Sequence, residues 1–270
     1  MSGFGSADTS KRLAENHPRA PPDPWTSSFH ESGPFQQSMI APIVHQMIGI
    51  LAGMGPFSTG LFLGRVLEQC ERQYGAQQDD SFPPMLIASW PTPLQPEHPT
   101  DARQMVTALT AGLRTLEGAG VSFIGIACNT AHAYFPALRA TVTRPLLNMV
   151  QLAVDALPPQ ATRVAVVCSR DTAASGIYRT ALGARGVTSV ELPWQAEVDS
   201  LIGAARLTPD TVQRRFEELE RLAIGASADH LVIACLDLSA AISSIPKRLP
   251  TTDSSQALAS GLVRHWRETH

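Results

Sequence analysis

The chain has 270 residues, 44% hydrophobic and 17% charged, enough to bury the core of one large or two modest globular domains. Its formal net charge is −3 and its 21 basic residues are scattered, which argues against a nucleic-acid partner. No apolar run approaches the roughly 20 residues that span a bilayer, and the N-terminus lacks the charged-then-apolar layout of a signal peptide, so a cytoplasmic protein with no membrane partner is expected.

Residues 1–45 carry "RAPPDPW" and many Ser and Gly without a sustained period, the composition of a flexible N-terminal extension. A first strand follows in "MIGILAG", continuously apolar, and it enters a helix in "STGLFLGRVLEQCERQYG". "PPMLIASW" predicts a second strand, "ARQMVTALTAGLRTLEGAG" a helix, and "VSFIGIAC" a third strand with helix over 130–140 after it. "RPLLNMV" supplies a fourth strand.

The second half repeats this order. "TRVAVVCS" is a strand, "ASGIYRTALGARG" its helix, "TSVELPW" the next strand, and "PDTVQRRFEELERLAIGASA" the long helix before "HLVIAC". Apolar strands alternating with amphipathic helices imply parallel sheets covered on both faces. The predicted fold is α/β: two pseudo-symmetric doubly wound domains, each with a short parallel sheet, and an active site in the cleft between them. The expected boundaries are 46–155 with 251–270 for the N-terminal domain and 156–250 for the C-terminal one.

The four cysteines, Cys70, Cys128, Cys168 and Cys235, are widely spaced with no CxxC, which fits neither a disulfide framework nor a zinc site. Cys70 sits in a helical apolar pattern, where it reads as a small core residue. Cys128 and Cys235 differ from it. Each closes an Ile-Ala-Cys run ten residues after a Gly-Ala, at Gly118 and Gly225, and so ends an equivalent strand in each half. Ligands of open α/β sheets bind beyond the carboxyl ends of strands. A helix start after each cysteine brings backbone N–H groups that hold anions and favour thiolate. Two such thiols facing each other can remove a proton from one face of a carbon and return one to the other. A plainer reading stays open, in which small residues close strand ends of a duplicated fold.

"GILAGMGPFST", "ACNTAH" and the later "ACLDLS" resemble the signatures of the aspartate/glutamate racemase family, over about residue 46 to the end. The resemblance implies two α/β domains, no cofactor, a small-molecule carboxylate or amino-acid substrate, and a homodimer. By it, Cys128 and Cys235 are the acid/base thiols, Asn129 and Thr130 hold the substrate carboxylate, and Met54 and Gly55 line the cleft floor. Ser58 either caps a helix or touches ligand, and His132 either orients Cys128, acts as the base that helps form its thiolate, or satisfies packing. Asp253 and Ser254 lie beside the cleft or cap a helix.

The departures from the family pattern bear on substrate. Leu236 and Asp237 stand where Thr-Glu is usual, which removes a hydroxyl donor and shortens the acid. Asp237 adjoins Cys235 as a candidate helper, although its charge by itself raises a thiol pKa. Trp90 occupies a position commonly small and polar, suggesting an apolar substrate group or a core role. Ala174 stands at a basic position of aspartate-specific members, so strict aspartate specificity is not expected; His98, Arg103 and Arg170 are candidate replacements. The alternatives are a decarboxylase or isomerase of a related acid, or a member that only binds a small acid. No P-loop or GxGxxG follows the first strand, and no metal-ligand spacing occurs.

Overall fold

The computed structural model describes residues 46–93, 101–190, 195–204 and 208–269, so the expected N-terminal extension lies outside the described residues. The first lobe is a parallel sheet of β1 (Ile48–Ala52), β2 (Met85–Ser89), β3 (Phe123–Ile126) and β4 (Leu146–Leu147), in the order β2-β1-β3-β4. Every residue of β1 is buried, because helices cover both faces of the sheet. Ile48, Ile50 and Ala52 point toward Phe62 and Val66 of α1 (Pro56–Tyr74). The alternate residue Leu51 joins Leu109 and Leu113 of α2 (Ala102–Gly118) on the other face.

The second lobe repeats the plan with β5 (Arg163–Cys168), β6 (Thr188–Val190), β7 (His230–Ala234) and β8 (Thr251–Asp253), in the order β6-β5-β7-β8. Val212, Phe216, Leu219 and Ala223 recur at helical spacing along α8 (Pro209–Gly225) and pack on Ala165, Val167, Leu231 and Ile233. The two sheets therefore share one topology. In each, the strand order reverses at the first strand, between β1 and β3 and between β5 and β7, which is where such sheets open a crevice.

Three segments depart from expectation. The helix expected across "ASGIYRTALGARG" is two, α5 (Arg170–Ser175) and α6 (Ile177–Ala184), because Gly176 takes a left-handed φ of 68° and its N–H closes onto Ala173. The stretch after Cys128 begins as a 3-10 turn (Thr130–Tyr134) before α3 (Phe135–Arg139). The fourth strand is only Leu146–Leu147, since the Asn148 side chain accepts from the N–H groups of Val150 and Gln151 and starts α4 (Met149–Asp155).

Two further helices, α7 (Gln195–Ala204) and α9 (Leu236–Ala241), cover the second lobe, and α10 (Ser254–Thr269) ends the chain. The chain crosses back to the first lobe at Asp253. Thr251, Thr252 and Asp253 pair with β7 of the second sheet. From there Leu258, Leu262 and Trp266 of α10 enter the core around β1, and α10 packs on α1 and α4.

Candidate active site

Cys128 follows β3 and Cys235 follows β7, each at the reversal point of its sheet. Backbone N–H groups of Thr130 and Ala131 reach the Cys128 sulfur, and those of Asp237 and Leu238 reach that of Cys235. Both are the cradles that a turn into helix presents to an anion. Burial nevertheless dominates, pushing Cys128 up to about 11 and Cys235 up to about 12. The Asp237 carboxylate raises both thiols, and Cys128 adds to the rise at Cys235, so the two sulfurs and this acid share one electrostatic neighbourhood. Cys168, at the end of β5, is pushed up to about 12 by burial and then by Cys235.

The residues after Cys128 tie the two lobes together. Asn129 is buried; its Oδ1 accepts from the Tyr178 hydroxyl of α6 at 2.6 Å, and its Nδ2 donates to Ser254 Oγ at 3.0 Å. The Thr130 hydroxyl lies 3.0 Å from that of Ser169 and 2.9 Å from that of Thr172, which are themselves 3.0 Å apart. A cavity of about 190 Å³, lined by Cys168, Thr172, Tyr178 and Gln195 among others, adjoins these contacts on the second lobe.

His132 is buried with both ring nitrogens engaged. Nε2 accepts the Met149 N–H at 2.9 Å, so Nδ1 carries the proton and donates it to the Cys128 carbonyl at 2.7 Å. Burial lowers its pKa to about 4. The imidazole thus fixes the backbone of the β3 end against the start of α4 and has no free lone pair to offer the Cys128 thiol.

Glycine shapes the turn that meets Asp237. Gly55 has φ of 90°, and a Cβ there would stand 2.8 Å from Ser58 Oγ and 2.9 Å from Asp237 Oδ1, so the Asp237 carboxylate rests against the backbone of the Gly-Met-Gly-Pro turn. Met54 packs with Leu51 and Cys128. The Ser58 hydroxyl donates back to the Gly55 carbonyl at 2.8 Å and caps no N–H; Gly55 itself precedes α1, with Pro56 at its first turn.

Trp90 packs against the first-lobe core, its indole over Gly112 of α2, where a Cβ would come within 3.0 Å of the ring. Leu236 joins the first-lobe cluster around Phe62, so its side chain fills the seam between α9 and α1. Asp253 accepts from the Ser255 N–H at 2.9 Å and from Arg65 at 2.9 Å, capping α10 and pairing a half-buried cation. Ser254 is instead the acceptor for Asn129. Of the candidate cations, Arg103 is exposed on the first turn of α2, Arg170 is paired with Asp199, and His98 lies outside the described residues.

Tyr178, Ser169, Thr172 and Arg65 were not legible as site residues. Tyr178 and Ser169 sit in short polar runs after a strand, a signal that is indistinguishable from turn and helix-start chemistry without the partner lobe. No group of three or more His, Cys, Asp or Glu side chains gathers as a metal site among the described residues. None of the described helices is long and apolar enough to cross a membrane.

Residues 51–262 match the family model described as Asp/Glu/Hydantoin racemase. The chain belongs to this family. A broad specificity amino-acid racemase, RacX of Bacillus subtilis (strain 168), is 36% identical over 220 residues, spanning 80% of this chain and 96% of that protein. Among solved structures, the Picrophilus torridus aspartate racemase superposes with a TM-score of 0.66 at 27% identity, over 82% of this chain and 94% of that one. A glutamate racemase isoform of Bacillus anthracis, RacE1, shares the fold with a TM-score of 0.54 at 18% identity, over 83% of each chain. Membership in the racemase family accords with the expected two-lobed α/β architecture.

Proposed function

We propose that this racemase-family protein inverts the carbon next to the carboxylate of an amino acid, without a cofactor, using Cys128 and Cys235 as opposed acid and base. One observation carries the reading. Two thiols end equivalent strands of two sheets of one topology, each sulfur cradled by two backbone N–H groups, and each within reach of the same carboxylate. In one direction a thiolate at one strand end takes the α-proton, leaving the electron pair on the α-carbon and its carboxylate. The opposite thiol then delivers its proton to the other face, and the two sulfurs exchange protonation states.

Recognition follows from what surrounds the sulfurs. The Asn129 amide receives the α-carboxylate, with Thr130 held beside it by Ser169 and Thr172. Asp237 receives the α-ammonium, and this cation offsets the carboxylate that raises both thiols, so substrate binding itself favours thiolate. Two nearby guanidinium groups already have carboxylate partners, Arg65 with Asp253 and Arg170 with Asp199. A second substrate carboxylate therefore has no ready receptor among them, and an amino acid with an uncharged side chain fits better than aspartate. The broad specificity named for the Bacillus subtilis relative supports this reading.

We take the active form to be a cytoplasmic homodimer, with the two lobes at 46–155 plus the last helix and 156–253 as its domains; light scattering behind a sizing column tests the first. The reaction is tested by proton NMR in D₂O on single enantiomers of acidic and uncharged amino acids. Loss of the α-proton signal with appearance of the opposite enantiomer is expected for wild type and not for Cys128→Ser or Cys235→Ser. Exchange on no amino acid refutes the reading.

A further inference from the structure

The buried amide of Asn129 has a definite orientation, and the residue that sets it comes from the opposite lobe. Ser254 Oγ accepts one Nδ2 hydrogen, and the Tyr178 hydroxyl donates to Oδ1 at 2.6 Å, the shorter of the two contacts. Burial holds the Tyr178 phenol far above its ordinary pKa, so it stays a donor across the working range. An amide has two donors and one acceptor oxygen. With Oδ1 taken by the phenol and one hydrogen taken by Ser254, the second Nδ2 hydrogen of a residue only 3% exposed has no partner among the described residues. A buried donor in that condition is costly unless a ligand meets it.

We propose that Tyr178 is a positioning residue that locks the Asn129 amide so that its spare N–H, and not its carbonyl, faces the substrate carboxylate. This rests on the racemase reading above and adds a residue to it. A flipped amide would turn its oxygen toward the carboxylate, replacing a charge-assisted hydrogen bond with repulsion. Ser254 alone cannot prevent the flip, because a serine hydroxyl donates to an amide oxygen as readily as it accepts from an amide nitrogen. Tyr178 opposes it, because a phenol is a stronger donor and a poorer acceptor than an aliphatic hydroxyl and so favours the amide oxygen over the amide nitrogen. Asn129 follows β3 in the first lobe and Tyr178 lies on α6 beside the second sheet. The carboxylate receptor is therefore completed only when the lobes are together.

The test is a double-variant cycle on racemisation, after wild-type activity has been measured across the amino-acid panel. Tyr178→Phe keeps the ring and removes the hydroxyl. It is expected to raise KM about tenfold with kcat changed less than about threefold, since the lost contact binds ground and transition states alike. Asn129→Ala is expected to raise KM at least as much, and the double variant no further than Asn129→Ala, because the phenol acts only through the amide. Ser254→Ala serves as a second variant if Tyr178→Phe fails to fold, with a smaller rise in KM expected. Effects of Tyr178→Phe and Asn129→Ala that add, KM unchanged in Tyr178→Phe, or a rise in KM in Ser254→Ala as large as that in Asn129→Ala, overturn the role of Tyr178 and leave the racemase reading intact. Wild type that exchanges no α-proton overturns the racemase reading and this inference with it.

Discussion

The strand end at Cys128 and the strand end at Cys235 are copies that have kept their backbone and parted in their side chains. Each sulfur receives two N–H groups from the turn that follows it. After Cys128 come an amide and a hydroxyl, Asn129 and Thr130, both engaged by second-lobe residues. After Cys235 come Leu236, buried against α1, and Asp237, seated on Gly55. The two cradles are thus followed by unlike surroundings, one rich in donors and one anionic. This is the asymmetry that an amino acid presents, with its carboxylate and ammonium on one carbon.

If the two ends are equal partners in chemistry, their loss should be equally severe. Cys128→Ser and Cys235→Ser are each expected to lower racemisation by about 10²- to 10⁴-fold, measured as loss of optical rotation. A variant retaining more than a tenth of the activity would break the symmetry of the mechanism. The pH profile examines the same point without mutation. Burial pushes the thiols up to about 11 and about 12, so a mechanism that needs one thiolate should gain about tenfold in kcat/KM per pH unit between roughly pH 7 and 9. Asp237→Asn removes a charge that raises both thiols and should move the thiol titration to lower pH, read by the ultraviolet absorbance of thiolate.

His132 has no counterpart after Cys235, and its effect should appear in stability. The imidazole is depressed from 6.5 to about 4 by burial, so the unfolded chain takes up protons first as pH falls. The stability that neutral His132 provides is complete above about pH 6.5 and is lost as pH falls toward 4, in total about 3 kcal/mol. His132→Phe should flatten that slope in urea unfolding while costing about 2–4 kcal/mol at neutral pH, through the orphaned Met149 N–H and Cys128 carbonyl. An unchanged pH slope would show that the imidazole is not held neutral.

The smallest effect is expected where the family hydroxyl is missing. Leu236→Thr should leave KM within about twofold and lower stability by about 1–3 kcal/mol, because position 236 faces the packing between α9 and α1. A large fall in KM would mean that the second strand end also binds the carboxylate.

Both sheets, their parallel order and the paired cysteines were legible in the sequence because they are written in local signals. Buried strands read as apolar runs, α8 repeats its core residues at helical spacing, and the duplicated Ile-Ala-Cys marks equivalent strand ends. The family was legible through Gly-Met-Gly-Pro and Cys-Asn-Thr-Ala-His. The break at Gly176 and the short β4 were not, since a glycine inside a helical pattern and an asparagine after an apolar run each fit more than one local structure.

What the tertiary structure alone decided is which side chain meets which. Asn129 finds Ser254 across 125 residues and Tyr178 across 49, while Thr130 finds Ser169 and Thr172 at the start of α5 in the other lobe. His132 reads in sequence as a possible base one turn from a thiol, and it becomes a neutral brace once Met149 donates to it. Local sequence sets backbone periodicity, but hydrogen-bond partners depend on the approach of distant elements, and that approach follows from burial of both sheets together.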